Sequence, residues 1–229
     1  MKYADEIIVL SKRVQEYFKK VYGRETHFIP NGVSRPENQP AEMITEKFGL
    51  IKNSYILFLG RLVPEKGIRY LIEAFKNVGT DKKLVIAGGS SDTDSFMKEL
   101  KELAKGDERI IFTGFVQGQI LSELYSNAYI YILPSDLEGM PLSLLEAMSY
   151  GNCCLVSYIP ECAEVLEDKA MIFKKSNVSS LNEKLQDACN HPSKVNGYKD
   201  SATNFICKKY NWDDVVKKTV KIYRKNVKT

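Results

Sequence analysis

Tyr55-Ile-Leu-Phe-Leu59-Gly60-Arg61-Leu62-Val63-Pro64-Glu65-Lys66-Gly67-Ile68 joins an unbroken apolar run to a glycine-containing basic turn, after which the periodicity changes. Ile68, Leu71, Ile72, Phe75 and Val78 recur at i, i+3, i+4, i+7 and i+10, the spacing of one helical face. An apolar run without alternation is what a strand covered on both faces requires. Strand, turn and helix in that order make half of a βαβ unit, and the alternation continues downstream. Candidate strands fall at 55–59, 83–87, 110–113, 130–133, 153–157 and 170–173. Helices are predicted near 94–104, 117–127, 142–150, 161–166 and 179–190. Right-handed crossovers then give an α/β fold, a Rossmann-like doubly wound parallel sheet of six strands.

The flanks read differently. Residues 1–35 form a small β-α-β-like piece, with strands at 7–10 and 28–29, a helix at 12–22 and an ending in Pro30-Asn31-Gly32. Such a piece is too short to be a domain, so it packs on the main body or on something absent from this chain. Residues 36–54, polar and proline-containing at their start, are expected as a linker leading into the sheet, and 55–195 as the Rossmann-like domain. Residues 196–229 carry two more amphipathic helices, at 196–209 and 212–225, the second beside a capping-type Asn211.

A chain of 229 residues that is 44% hydrophobic can bury a substantial core. Acidic residues precede an apolar run of only four near the start, which predicts neither a signal peptide nor a membrane span and makes the cytoplasm the expected compartment. The formal charge of +4 does not point to nucleic acid. Basic clusters at Lys12-Arg13, Lys19-Lys20, Lys217-Lys218 and Lys221 to Lys228 read as solvated helix faces, with weak attraction to the inner face of an anionic membrane as the other reading. Cys153, Cys154, Cys162, Cys189 and Cys207 lack Cys-x-x-Cys spacing and are expected as reduced packing residues. His27 and His191 match no metal-ligand spacing, so no metal site is expected.

Chemistry is concentrated after the strands. Following 55–59, Gly60, Arg61 and Lys66 stand at the carboxyl end of a strand, where open α/β sheets bind ligands. Arg61 can fork onto phosphate oxygens and Lys66 can add a point charge, although a basic surface turn has the same composition. Following 130–133, Ser135-Asp-Leu-Glu138-Gly-Met-Pro141-Leu-Ser-Leu-Leu-Glu146 places two glutamates around a helix start. Gly139 is expected to supply a permissive turn and Pro141 to take the first helical position, where free N–H groups hold an anion. Glu138 and Glu146 are then suited to sugar or ribose hydroxyls, or else are a dipole-neutralising and a solvated glutamate. Gly88-Gly89-Ser90-Ser91 reads as backbone approaching a ligand or as an ordinary loop. Thr113-Gly114-Phe115-Val116 reads as a base-binding segment or, for Phe115, as core.

Gly60-Arg-Leu-Val-Pro-Glu-Lys-Gly67 taken with Glu138-Gly-Met-Pro-Leu-Ser-Leu-Leu-Glu146-Ala-Met resembles the group 1 family of GT-B glycosyltransferases, also called family 4. Asn31-Gly32 resembles its interdomain junction and Tyr210-Asn-Trp212 its C-terminal helix start. The resemblance implies a UDP-, GDP- or ADP-sugar donor, a glycan or lipid-linked acceptor, no cofactor, no essential metal and retention of anomeric configuration. It implies catalytic roles for Arg61 and Lys66 on the diphosphate and Glu138 on the sugar. Glu146 would hold the ribose, Val116 the base through its backbone, and Gly60, Gly139, Met140, Pro141 and Leu142 would line the donor site. A complete enzyme of this type also has an N-terminal domain with a glycine-rich loop and often a catalytic histidine, and neither is visible here. Residues 1–35 resemble that domain's last elements, so the chain is expected to be a C-terminal donor-binding half, weak or inactive alone. A non-catalytic partner subunit, a nucleotide-sugar epimerase and a phosphorylase-like enzyme are the other readings.

Overall fold

A computed structural model describes residues 4–89 and 94–226. Ser90 and Ser91 of the glycine-serine loop and Lys228 of the last basic cluster lie outside them. The main body is a parallel sheet of six strands: β3 (Tyr55–Leu59), β4 (Lys83–Ala87), β5 (Ile110–Gly114), β6 (Ile130–Leu133), β7 (Cys154–Ser157) and β8 (Met171–Phe173). Their spatial order is β5-β4-β3-β6-β7-β8. The chain winds outward from β3 to one edge, returns to the centre at β6 and winds to the other, so the topology reverses between β3 and β6.

Strand side chains alternate between two cores, as the period of two demands. Tyr55, Leu57, Val85, Tyr131, Leu133 and Val156 face one cluster, while Ile56, Phe58, Leu84, Ile86, Ile130 and Leu155 face the other. The first cluster is closed by α2 (Met43–Phe48), α5 (Gly118–Asn127), α6 (Leu142–Ser149), α7 (Pro160–Leu166) and most of α9 (Pro192–Lys209). The second is closed by α3 (Ile68–Lys76), α4 (Asp94–Ala104) and α8 (Val178–Asn190).

Residues 36–54, expected as a linker, include α2 and belong to the core: Ile44 and Leu50 are fully buried. The α2 start is capped from far along the chain, where the buried Glu123 carboxylate accepts from the N–H groups of Glu42 and Ile44, both at 3.0 Å. A helix of six residues with one buried apolar side chain carries no periodic signal, which is why this cap is invisible locally. The helix expected from 196 begins instead at Pro192, where proline suits the first turn, so α8 and α9 meet at His191.

The N-terminal piece is a separate two-stranded parallel sheet, β1 (Ile8–Val9) with β2 (His27–Phe28), joined by α1 (Lys12–Tyr22), so the strand expected at 7–10 is shorter and the one expected at 28–29 is shifted by one residue. It is tied to the body by an Arg13–Glu161 ion pair of 2.8 Å and by the Val33 N–H donating to the Tyr210 carbonyl at 2.7 Å. Gly32 lies so close to Trp212, at the start of α10 (Trp212–Asn226), that a Cβ would stand 2.7 Å from the indole. α1 buries none of its residues, and α10 exposes Trp212, Val216, Val220 and Tyr223. Among the described residues no helix is long and apolar enough to cross a membrane.

All five cysteines are free thiols, and Cys153, Cys154 and Cys162 are buried. Burial pushes these three thiols up, Cys153 to about 12. The fold therefore prefers the protonated thiol, a stabilisation fully present below the ordinary value of 9.0 and lost as pH climbs toward 12. Lys199 acts in the opposite sense: burial draws its ammonium down to about 8, and the cost of charging it is relieved between there and its ordinary 10.5. Three thiols outweigh one amine, and buried phenols such as Tyr129 and Tyr210, each pushed up to about 12, act in the same direction as the thiols, so stability is expected to fall as pH rises above 9. Urea unfolding at pH 8, 9 and 10 measures this. Cys154→Ala is expected to remove about 1.4 kcal/mol per unit from the slope, and a flat wild-type profile would refute the account.

Candidate functional site

The carboxyl ends of β3 and β6, adjacent at the reversal, open a crevice between two loops, residues 60–67 and 134–141. Open α/β sheets place ligands at this position because the connections depart to opposite faces there. The loops are stitched together: the Asp136 N–H donates to the Glu65 carbonyl at 2.8 Å, and Tyr70 on α3 contacts the Pro134 carbonyl and Asp136 Oδ1, the latter at 3.0 Å. Ser176 donates to the same Asp136 oxygen at 2.6 Å. Gly67 has φ of +69°, and a Cβ there would collide with the Pro134 carbonyl and the Tyr70 hydroxyl. Gly88, with φ of +147°, likewise lets β4's turn touch the Gly60 carbonyl. Both glycines are required by close backbone approach.

At the bottom of the crevice Lys66 ends a short 3-10 turn, Pro64–Lys66, and its Nζ donates to Glu138 Oε1 at 2.6 Å. The two side chains are 15% and 6% exposed, so an ammonium and a carboxylate are held together largely out of water. Arg61 is exposed and makes no side-chain hydrogen bond or ion pair among the described residues. With Gly60, Gly88, Gly89, Phe115 and Val116 it lines a cavity of about 340 Å³. Phe115 is 74% exposed, which removes the core reading and leaves a flat apolar ring on the rim.

Glu146 lies one turn inside α6, exposed, in a cavity of about 410 Å³ shared with Asn31, Tyr125, Leu142 and Trp212. Tyr125 donates to Glu146 Oε2 at 3.0 Å, anchoring one oxygen and leaving the other for a ligand. The expected sites thus fall in three groups: Lys66 with Glu138 in direct contact, Gly60, Arg61 and Val116 on one cavity, and Leu142 and Glu146 on another.

Two local expectations need correction. Gly139 does not use positive φ; nothing lies within 4 Å of where its Cβ would stand, so glycine here keeps space open beside Glu138. Pro141 stands at the cap rather than the first helical position, and its carbonyl accepts from Leu144 and Leu145 N–H at 3.0 and 3.2 Å. The N–H groups of Leu142 and Ser143 are the ones that face out of the helix end, in keeping with the free donors of a first turn. Met140 turns its sulfur to the Asn31 N–H, 3.2 Å away, and so ties the loop to the N-terminal piece.

Sequence reasoning missed Tyr70, Tyr125, Tyr131, Asp136 and Ser143. The tyrosines read as ordinary apolar positions of helices and a strand, and no local pattern announces where a hydroxyl ends. Among the described residues no three His, Cys, Asp or Glu side chains group as a metal site. His27 is paired with Glu6 at 2.7 Å, and His191 with Asp187 at 2.9 Å.

Known proteins share this fold. The family described as Glycosyl transferases group 1 matches residues 42–205. An uncharacterized glycosyltransferase of Methanocaldococcus jannaschii is 32% identical over 237 aligned residues, 96% of this chain and 60% of that protein. Among solved structures, Anabaena HepE in complex with UDP and glucose superposes with a TM-score of 0.89 at 18% identity, over 98% of this chain and 64% of that one. A glycosyltransferase from Rickettsia africae gives 0.86 at 20% identity, again over 98% and 64%. The chain therefore spans somewhat under two thirds of the length of these relatives. Six parallel strands whose order reverses between β3 and β6 make one half of a GT-B glycosyltransferase fold. The chain belongs to the group 1 glycosyltransferase family.

Proposed function

We propose that this chain is the donor-binding half of a retaining family 4 glycosyltransferase that takes a nucleotide-diphosphate sugar, needs no metal, and serves a glycan or lipid-linked acceptor in polysaccharide biosynthesis. The observation that carries the reading is the Lys66–Glu138 contact of 2.6 Å at the sheet's reversal, with Arg61 unpaired beside it. Arg61, Lys66 and the Leu142 and Ser143 N–H groups take the diphosphate. Glu138 takes sugar hydroxyls, Glu146 the ribose, and Gly60 and Val116 border the base. UDP in the Anabaena HepE complex, on the same fold, supports a nucleotide donor.

In the transfer step the bond from the anomeric carbon to the diphosphate breaks, and the acceptor oxygen bonds to that carbon from the same face. The leaving diphosphate accepts the acceptor's proton. Two cations at the diphosphate lower the barrier by stabilising charge that grows as the bond breaks. Glu138 is not required as a nucleophile, unlike a carboxylate of retaining glycosidases. The apolar faces of α1 and α10 support a second half that covers them and brings the acceptor. The protein acts on the cytoplasmic side, where peripheral membrane contact gives access to a lipid-linked acceptor.

Calorimetric titration with UDP, GDP and ADP tests the reading. One of them is expected to bind, with affinity unchanged by a chelator. Glu146→Gln is expected to weaken it about 3–10-fold, through one charge-assisted hydrogen bond to ribose. A 2′,3′-dideoxy analogue should show no such loss. Silence from all three nucleotides would count against the donor site, and robust sugar transfer by this chain alone would overturn the expectation that it is weak or inactive without a second half.

A further inference from the structure

We propose that Tyr131 is a positioning residue of the diphosphate subsite, its hydroxyl clamping the end of β3 to the first turn of α6. This rests on the reading above that Arg61 and the α6 N-terminus hold a diphosphate. Tyr131 lies in β6, beside β3, fully buried, its ring 6.1 Å from that of Tyr125. Its hydroxyl is 3.3 Å from the Leu59 carbonyl and 2.8 Å from Ser143 Oγ. The Leu59 carbonyl belongs to the peptide that leads into Gly60 and Arg61. Ser143 is the second residue of α6, whose own N–H is one of the two left free at the helix start.

Proton counting assigns the directions. A carbonyl can only accept, so Tyr131 donates to Leu59 and the Ser143 hydroxyl donates to the phenol oxygen. Burial holds the Tyr131 phenol well above its ordinary value, so it keeps the proton it donates. The ring's surroundings are apolar, and phenylalanine would fill the same space without a polar atom to satisfy. What the hydroxyl adds is a defined separation between the two elements that approach the diphosphate. Tyr125 supports the same helix, donating to Glu146 and lying 3.4 Å from the Ser143 carbonyl.

The test uses the full chain and the nucleotide among UDP, GDP and ADP that wild type binds, with its nucleoside as second probe, followed by calorimetry and NMR titration. Tyr131→Phe and Ser143→Ala are each expected to weaken the diphosphate about 3–10-fold, the worth of one hydrogen bond. Nucleoside affinity should stay unchanged, and the double variant should lose no more than either single one. A merely structural role would lower both affinities together or neither, and either result overturns the inference. Ser143→Ala, on the partly exposed helix start, serves should Tyr131→Phe fold poorly. Wild type that binds no diphosphate rejects the donor-site reading and this inference with it, whereas binding unaltered in both variants rejects this inference alone.

Discussion

Arg61→Ala combined with Lys66→Ala is expected to weaken nucleoside-diphosphate binding by about 10²–10⁴-fold. Each contact from a cation to a phosphate oxygen contributes about 1.5–3 kcal/mol, and every 1.4 kcal/mol is tenfold in affinity. The two cations enter differently. Arg61 is exposed and unpaired, so its loss removes ligand contacts and leaves the fold undisturbed. Lys66 is held against Glu138, so its loss also leaves a carboxylate without a partner beside the incoming phosphates. Nucleoside affinity should fall far less, since a nucleoside carries no phosphate for either cation, although Arg61 shares its cavity with Gly60 and Val116. Calorimetry on wild type, both single variants and the double variant separates these effects. Unaltered diphosphate affinity in the double variant would remove the anion clamp from the account.

The second large effect concerns stability. Lys66→Ala is expected to cost about 3–5 kcal/mol, because Glu138 is then charged, nine-tenths or more buried and unpaired. Glu138→Ala should cost less, because Lys66 keeps 15% of its side chain exposed and can reach water. The double variant, with neither charge, should lose no more than the worse single one. Urea unfolding of the four proteins gives the coupling directly. Additive losses would show that the pair is not buried as a unit. A double variant more stable than Lys66→Ala would point to retention of the pair for chemistry, as an ammonium and a carboxylate already placed before a ligand arrives.

Much of the architecture is legible in the chain itself. The apolar runs around Leu57, Val85 and Ile132 are too unbroken for one-sided strands, and the helical spacing from Ile68 to Val78 lies between the first two. β3, β4 and β6 fall where those patterns place them, since pattern and packing select the same structure there. α2 is the counterexample: its cap comes from Glu123, 79 residues from Ile44 in the chain. Gly139 illustrates a subtler limit, since a glycine that keeps space open and one that turns the chain have the same letter.

From residue order alone come the six strands, the helices between them, and the pairing of a basic turn with a glutamate-bearing helix start, because periodicity and turn chemistry are local. Tertiary structure alone decided that Lys66 and Glu138 touch across 72 residues, that Phe115 stands in solvent, and that Tyr131 reaches both Leu59 and Ser143. Those facts depend on which strands become neighbours and on how far a side chain extends past the strand's end. Both are set by packing of the whole sheet, which no short window of residues contains.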